Sequence, residues 1–116
     1  MLDPDALRAL SELLGGDREA LAELVDAFLD EAPERLAELR GGADRGDTGL
    51  AGRAAHTLKS NGMTFGAVEL ASLCRRLEVA ARAGELGANR DLIDRVDAEW
   101  ARVRHALTAL RGGAPP

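Results

Sequence analysis

Histidine and cysteine side chains are the strongest nucleophiles that the sequence offers near neutral pH, and they are His56, His105 and Cys74. A neutral imidazole, whose unperturbed pKa is about 6.5, can attack an electrophile or take up a proton. At about 100° per residue, His56 lies almost opposite the apolar residues of its helix and is expected to face solvent. His105 is expected to face solvent as well, so this placement does not distinguish the two. Cys74 lies on the apolar face of its helix and is expected to be a buried hydrophobic residue.

The helix surface around His56 combines glycines with cationic and polar side chains. Within about two turns on that face lie Gly49, Gly52, Arg53, Lys59, Ser60 and Met63. Glycine costs about 1 kcal/mol inside a helix, so Gly49 and Gly52 predict a surface that is cleared for the backbone of another protein. The alternative is that both glycines belong to a frayed first turn and that His56 is an ordinary surface histidine.

Other reaction chemistries find little support in the residue pattern. The sequence contains no Gly-x-Ser-x-Gly, His-Glu-x-x-His, Cys-x-x-Cys, Gly-x-Gly-x-x-Gly or P-loop motif. Two histidines, one cysteine and no glutamate three residues before either histidine argue against a metal site. Asp30, Glu34 and Glu38 form a stripe opposite the apolar face of their helix, which predicts a solvated acidic surface rather than an acid-base pair.

Length, composition and charge indicate one domain over residues 1–111, followed by a flexible tail at 112–116. The 116 residues are 46% hydrophobic and carry a net charge of −5 without a basic run, which argues against nucleic acid as a partner. The longest stretch without Asp, Glu, Lys or Arg is nine residues, too short to cross a membrane. Because the first residues lack the order of a signal peptide and a single cysteine forms no intrachain disulfide, a cytoplasmic location is expected.

Apolar residues at helical spacing predict an all-α fold without strands. The five predicted helices span residues 3–14, 17–42, 47–64, 67–82 and 89–110. Their N-cap candidates are Asp3, Asp17, Asp47 or Thr48, and Asn89. The second helix is expected to kink at Pro33 and to end near the Gly41-Gly42 pair. The last four helices predict an antiparallel up-down-up-down four-helix bundle, with the short N-terminal helix over one end and no unburied apolar stripe, so a monomer is expected.

Residues 55–66 and the helix after them resemble the signature of the histidine-containing phosphotransfer (Hpt) domain family. That signature is His-x-Leu-Lys-Gly, small residues, a hydrophobic-Gly pair and then Leu-x-x-x-Cys-x-x-Leu-Glu. The matching positions are His56, Leu58, Lys59, Phe65, Gly66, Leu70, Cys74, Leu77 and Glu78. Ser60 stands where the family usually has glycine, and Gly62 supplies a small residue two positions later. The resemblance covers about residues 17–110.

This resemblance implies a phosphorelay intermediate. His56 would accept a phosphoryl group from a receiver-domain aspartate, or from a cognate kinase, and pass it to the aspartate of a response regulator, with Lys59 near the phosphoryl oxygens. The docking face would consist of Gly49, Gly52, Arg53, Ser60 and Met63, and the structural motif of Leu58, Gly62, Phe65, Gly66, Leu70, Cys74 and Leu77. The partners implied are receiver domains or a hybrid sensor histidine kinase. The receiver would supply Mg²⁺, whereas this chain would bind no metal and have no independent turnover.

Three other interpretations make different predictions. A sensor-kinase dimerisation domain also carries a phosphorylatable histidine, but it typically has an acidic residue directly after it, where this chain has Thr57, and it needs an ATP-binding domain. A chemotaxis-kinase phosphotransfer domain resembles the same motif and would make residues 112–116 a cut linker. A non-catalytic pseudo-Hpt adaptor would bind its partner through the face formed by Met63, Gly52 and Arg53 without transferring phosphate.

Overall fold

The computed structural model describes residues 2–113. In that range the chain forms helices and no strand. The helices are α1 (Pro4–Leu13), α2 (Arg18–Arg45), α3 (Thr48–Thr64), α4 (Val68–Arg82), a 3₁₀ helix (Leu86–Asn89) and α5 (Arg90–Arg111). The predicted all-α class is therefore confirmed. Helix α2 is unbroken at Pro33. Of the predicted tail at 112–116, residues 114–116 lie outside the described residues.

Aspartate side chains begin the first three helices. Asp3, Asp17 and Asp47 each accept a hydrogen bond from a backbone N–H in the first turn that follows, at 3.0 to 3.1 Å. These bonds satisfy donors that an α-helix leaves without an internal partner. Asn89 occupies the N-cap position of α5, as predicted, but its side chain does not cap the helix. A 3₁₀ turn precedes α5, and the Asn89 amide donates to the Glu85 carbonyl at 2.7 Å instead.

The second helix is longer than the sequence predicts. It continues past the expected stop near Gly41-Gly42 and ends at Arg45, with Gly46 as a left-handed C-cap. Gly42 is buried, and a Cβ on it would lie 3.0 Å from the Cβ of Ala51 on α3. Gly42, which the sequence indicates as a helix stop, therefore allows two helices to approach each other closely.

The four long helices enclose the hydrophobic core. Helix α3 packs against α2 and α4, and α5 packs against the same two helices. Phe28 stacks on Phe65 with ring centroids 5.5 Å apart, and its ring is 5.1 Å from that of Trp100. The apolar motif residues are buried: Leu58, Phe65, Leu70, Cys74 and Leu77. This packing fixes α3 against α4 and so determines which of their polar side chains meet.

The N-terminal segment covers the turn between α3 and α4. Leu2 is buried, the backbone N–H of Asp3 donates to the carbonyl of Gly66 at 2.8 Å, and α1 packs against α3. The short first helix thus lies over one end of the helical core, as the sequence predicts.

Gly66 is expected to tolerate a side chain poorly. It has a φ of +72°, and a Cβ on it would lie 2.7 Å from the backbone nitrogen of Asp3. Gly46 has the same φ but no atom within 4 Å of that position. We expect Gly46→Ala to lower the free energy of unfolding by about 1 kcal/mol, the cost of left-handed backbone, and Gly66→Ala by about 3 kcal/mol. Urea unfolding measures both losses, and equal losses would contradict the close contact at Gly66.

Candidate functional site

His56 lies in the middle of α3, where its side chain is 58% exposed. Its ring nevertheless has a fixed partner in the neighbouring helix, because Nδ1 lies 2.8 Å from Oε2 of Glu78 on α4. The exposure predicted from helix geometry is therefore correct, and the contact with α4 adds an orientation that the geometry of one helix does not provide.

Glu78 is a buried carboxylate surrounded by basic side chains. Its side chain is 7% exposed and lies 2.7 Å from Nζ of Lys59, 2.8 Å from Nδ1 of His56 and 3.0 Å from Nη2 of Arg82. The hydrogen bond from Lys59, aided by that from His56, lowers the pKa of Glu78, although burial acts in the opposite direction. Glu78 is therefore ionised at neutral pH, and its charge is compensated within the site.

The bond to Glu78 determines the tautomer of a neutral His56 ring. An ionised carboxylate only accepts hydrogen bonds, so Nδ1 must carry the proton and donate it. Nε2, the ring nitrogen farther from the backbone, then holds a lone pair. Because most of the side chain is exposed, this lone pair is available to an electrophile that arrives from solvent.

Lys59 is held beside His56 by the same carboxylate. Its side chain is 23% exposed, and its ammonium group donates to Oε1 of Glu78 while Oε2 binds the ring of His56. The resemblance implies a cation at this position, near the phosphoryl oxygens. In the structure the ammonium group donates one of its three N–H groups to Glu78, which leaves the other two for further partners.

A groove of about 730 Å³ lies between α3 and α4 beside His56. Its lining residues are Thr48, Gly49, Gly52, Arg53, His56, Thr57, Glu78, Ala81 and Arg82. Three of the five residues of the predicted docking face thus line one groove. The other two, Ser60 and Met63, are exposed farther along α3, beyond Lys59, and do not line it. The predicted docking face is therefore divided by His56 and Lys59 into two parts.

Both glycines of the groove lie inside a capped helix. A Cβ on Gly52 would lie 3.4 Å from the Cβ of Ala81 on α4, and a Cβ on Gly49 would lie 3.2 Å from Nη1 of Arg53. Gly52 therefore faces Ala81 at the distance of a van der Waals contact, and Gly49 leaves room for the guanidinium group of Arg53. The interpretation of a frayed first turn does not describe these positions, because the Asp47 carboxylate accepts a hydrogen bond from the Leu50 N–H.

The remaining candidates lie elsewhere. His105 is exposed on α5 and has no hydrogen-bond partner among residues 2–113. Cys74 is fully buried, and burial raises the pKa of its thiol to about 12, so it is not a nucleophile near pH 7. Glu34 is exposed, and the guanidinium of Arg35 lies between it and Glu38 at 3.5 and 2.9 Å, as expected for a solvated surface.

Residues 2–113 contain neither a group of candidate metal ligands nor a helix suited to span a membrane. Within 2–113, no three His, Cys, Asp or Glu side chains are grouped so that they could hold a metal ion. None of the helices in that range is both long and apolar enough to span a membrane.

Glu78 and Arg82 are site residues whose roles sequence reasoning missed. In the sequence, Glu78 stands out only as a match to the motif, although its position on the helix indicates burial. At about 100° per residue it lies about 40° from Cys74, at the edge of the buried stripe of α4. A carboxylate in that position needs a hydrogen-bonding partner, and the facing helix supplies it. Arg82 follows one turn later on the same face.

The chain is similar to known proteins over most of its length. The family model described as the Hpt domain matches residues 23–113. The crystal structure of histidine-containing phosphotransfer protein B (HptB) from Pseudomonas aeruginosa PAO1 matches with a TM-score of 0.88 and 32% sequence identity, over 98% of this chain and 96% of that chain. None of the curated proteins matches. Both similarities include all of α3 and α4, which carry the His56 site.

Proposed function

The chain belongs to the Hpt domain family and is a histidine phosphotransfer intermediate of a phosphorelay, and we propose that His56 is the residue that carries the phosphoryl group. The observation that carries this assignment is the 2.8 Å hydrogen bond between Nδ1 of His56 and Glu78, which leaves Nε2 as the free nucleophile on an exposed ring. His105 has no comparable partner among residues 2–113.

The proposed step transfers a phosphoryl group from an aspartate oxygen of the receiver domain to Nε2 of His56. The lone pair of Nε2 attacks the phosphorus of an aspartyl phosphate on a receiver domain and forms an N–P bond, while the P–O bond breaks and the aspartate leaves as a carboxylate. In the onward step, a carboxylate oxygen of the next receiver attacks the phosphorus. The N–P bond then breaks and its electron pair returns to Nε2, so His56 is regenerated.

Glu78 is proposed to act as a positioning residue for this step. As Nε2 forms its bond to phosphorus, the ring keeps the proton on Nδ1 and acquires positive charge. The ionised carboxylate of Glu78 already accepts from that nitrogen, so it stabilises the developing charge without rearranging. It also holds the ring in one tautomer and one orientation.

The assignment of His56 as the phosphorylated residue also implies which partners bind and where Mg²⁺ comes from. We infer that the partners are receiver domains, free or in a hybrid sensor kinase, and that they dock on both sides of His56, against Gly49, Gly52 and Arg53 on one side and Ser60 and Met63 on the other. The Mg²⁺ that assists phosphoryl transfer is proposed to come with the receiver. On this proposal the protein is a carrier without independent turnover.

The arrangement of the helices is inferred to be an up-down-up-down antiparallel bundle formed by α2 to α5. Ion pairs between α2 and α5 support it, because Asp26 pairs with Arg111 whereas Asp44, farther along α2, pairs with Arg90 at the start of α5. We further propose that the protein is a monomer and that it acts in the cytoplasm, an assignment with which the single, buried Cys74 agrees.

Labelling with a phosphorylated receiver domain tests the proposed function. We expect acid-labile, base-stable phosphate to appear on this protein and peptide mapping to locate it on His56. Incubation with ATP alone is expected to leave the protein unlabelled. Binding of the receiver without any labelling would favour the non-catalytic adaptor, and labelling by ATP alone would contradict the carrier role.

Removal of the Lys59 ammonium group is expected to slow the transfer without stopping it. We expect Lys59→Ala to lower the rate from a phosphorylated receiver by about tenfold, because a cation next to the phosphoryl oxygens stabilises their charge. The nucleophile itself remains in this variant. Rapid-quench measurement of the transfer rate checks the prediction, and an unchanged rate would contradict the electrostatic role of Lys59.

A further inference from the structure

A second groove, of about 470 Å³, lies between α4 and the start of α5, and the transfer step uses none of its residues. We propose that this α4–α5 groove binds an acidic amphipathic helix of a second protein that is not a receiver domain. The residues that would contact the partner are Ser72, Arg75, Arg76 and Val79 on α4 and Leu92 on α5. None of them lines the groove beside His56.

The α4–α5 groove opens away from His56. At about 100° per residue, Val79 lies about 100° and Arg76 about 160° around α4 from Glu78, the residue that binds the His56 ring. The groove beside His56 lies between α3 and α4, whereas this one lies between α4 and α5. A partner that binds here therefore leaves His56 accessible to a receiver domain.

Two neighbouring arginines of the α4–α5 groove have no acidic partner. Arg75 and Arg76 are exposed and form no ion pair within residues 2–113. The residues one turn before and after Arg76 carry no charge: Ser72, Leu73, Val79 and Ala80. Glu78, one turn after Arg75, is buried and already binds three basic side chains. Glu85 is the one carboxylate among the lining residues, so the groove keeps an excess of positive charge.

An apolar side chain accompanies these charges on the exposed face of α4. Val79 is 55% exposed, and Val68, three turns earlier on the same face, is 64% exposed. Valine is less favourable than alanine in a helix, and an exposed valine gains no burial energy in return. Leu92 lines the groove as well but is buried. An apolar residue of a partner would bury Val79, which accounts for a valine at this position.

The dimensions and the charge of the groove favour an acidic helix as the occupant. Ser72 and Val79 are seven residues apart, which is about 10 Å along α4, so two turns of a partner helix fit beside them. Apolar residues of that helix would contact Val79, and its carboxylates would bind the two guanidinium groups through parallel hydrogen bonds. Because the whole chain has a net charge of −5, an acidic partner is attracted to this face and repelled from the others.

Titration of the ¹⁵N-labelled protein with a synthetic helical peptide tests this proposal. The probe consists of leucine, glutamate and alanine, with leucine at every third or fourth position and glutamate beside it. The control peptide has lysine in place of glutamate. We expect the acidic peptide to shift the amide signals of residues 72–80 and 89–92 but not those around His56, and the lysine peptide to shift neither.

Variants identify the residues that bind the peptide. We expect Arg75→Ala with Arg76→Ala to weaken the affinity by about tenfold and Val79→Ala by about threefold. The matched control is Arg104→Ala, which removes the same charge from an exposed position on α5 and should bind as the wild type does. All of these variants should accept phosphate from a phosphorylated receiver at the wild-type rate, also with the peptide bound. Circular dichroism establishes that they are folded.

The other outcomes contradict the proposal. Equal affinity of the lysine peptide, or of the double arginine variant, would show that the arginines do not select an acidic partner. Signal shifts centred on His56, or slower transfer with the peptide bound, would place the peptide in the receiver site. Dimers in analytical ultracentrifugation that the double variant abolishes would identify a second copy of this chain as the occupant. Binding to phosphatidylserine vesicles in place of the peptide would identify a membrane surface.

The same measurements separate this inference from the proposed function. Uptake of phosphate by the wild type without peptide reports on His56 alone, and the peptide titration reports on the α4–α5 groove alone. If the wild type takes up no phosphate, the assignment of His56 fails, whereas the titration still decides whether the groove binds an acidic helix.

Discussion

We expect His56→Ala to abolish acceptance of phosphate from a phosphorylated receiver domain, with a loss of at least about 1,000-fold. The variant has no nitrogen at the position from which Nε2 attacks, and no other side chain near the groove can replace it, since Cys74 is buried with a raised pKa. The fold should be retained, because His56 is exposed and Glu78 keeps Lys59 and Arg82 as partners. Rapid-quench labelling measures the loss.

Two variants make this result specific. His56→Gln provides an amide that can still donate to Glu78 but has no nucleophilic nitrogen, so it should be as inactive as His56→Ala. His105→Ala removes the other exposed histidine and should transfer phosphate at the wild-type rate. Label that persists on His56→Ala, or that is lost from His105→Ala, would identify a different carrier.

We expect Glu78→Ala to lower the transfer rate by about 100-fold, although Glu78 does not contact the phosphoryl group. Its removal leaves Nδ1 without the carboxylate that fixes the tautomer, and nothing then balances the charge that develops on the ring. Lys59 loses its partner in the same substitution. Glu78→Gln, which keeps one accepting oxygen but has no charge, should show an intermediate rate.

A spectroscopic measurement distinguishes positioning of His56 from a general loss of structure. We expect nitrogen NMR shifts of the wild-type ring to report the tautomer with the proton on Nδ1, and those of Glu78→Ala to report a mixture. Glu99→Ala is the matched control, since Glu99 is the other buried carboxylate among residues 2–113 and pairs with Arg102 on α5. If Glu78→Ala kept both the wild-type rate and the wild-type shifts, the positioning role would be wrong.

Local features of the sequence determined the helices and the exposure of His56. Helical periodicity depends on residues three and four apart, and the caps at Asp3, Asp17 and Asp47 involve residues at most three positions away, so both are visible without a fold. The same periodicity places His56 opposite the apolar stripe of α3. The motif that links His56 to Glu78 along the chain is also a property of the sequence, and it was sufficient to indicate the family.

Tertiary packing alone decided which side chains meet at the candidate site. Glu78 is 22 residues from His56 and 19 from Lys59, so their hydrogen bonds exist only because α4 packs against α3 in one register. Packing also overrode a local signal at Gly42, where contact with α3 outweighs the tendency of glycine to end a helix. The groove between Arg53 and Arg82 has the same origin, because its walls belong to two different helices. Spacing along one helix defines a face, whereas contacts between helices depend on the core that holds them together.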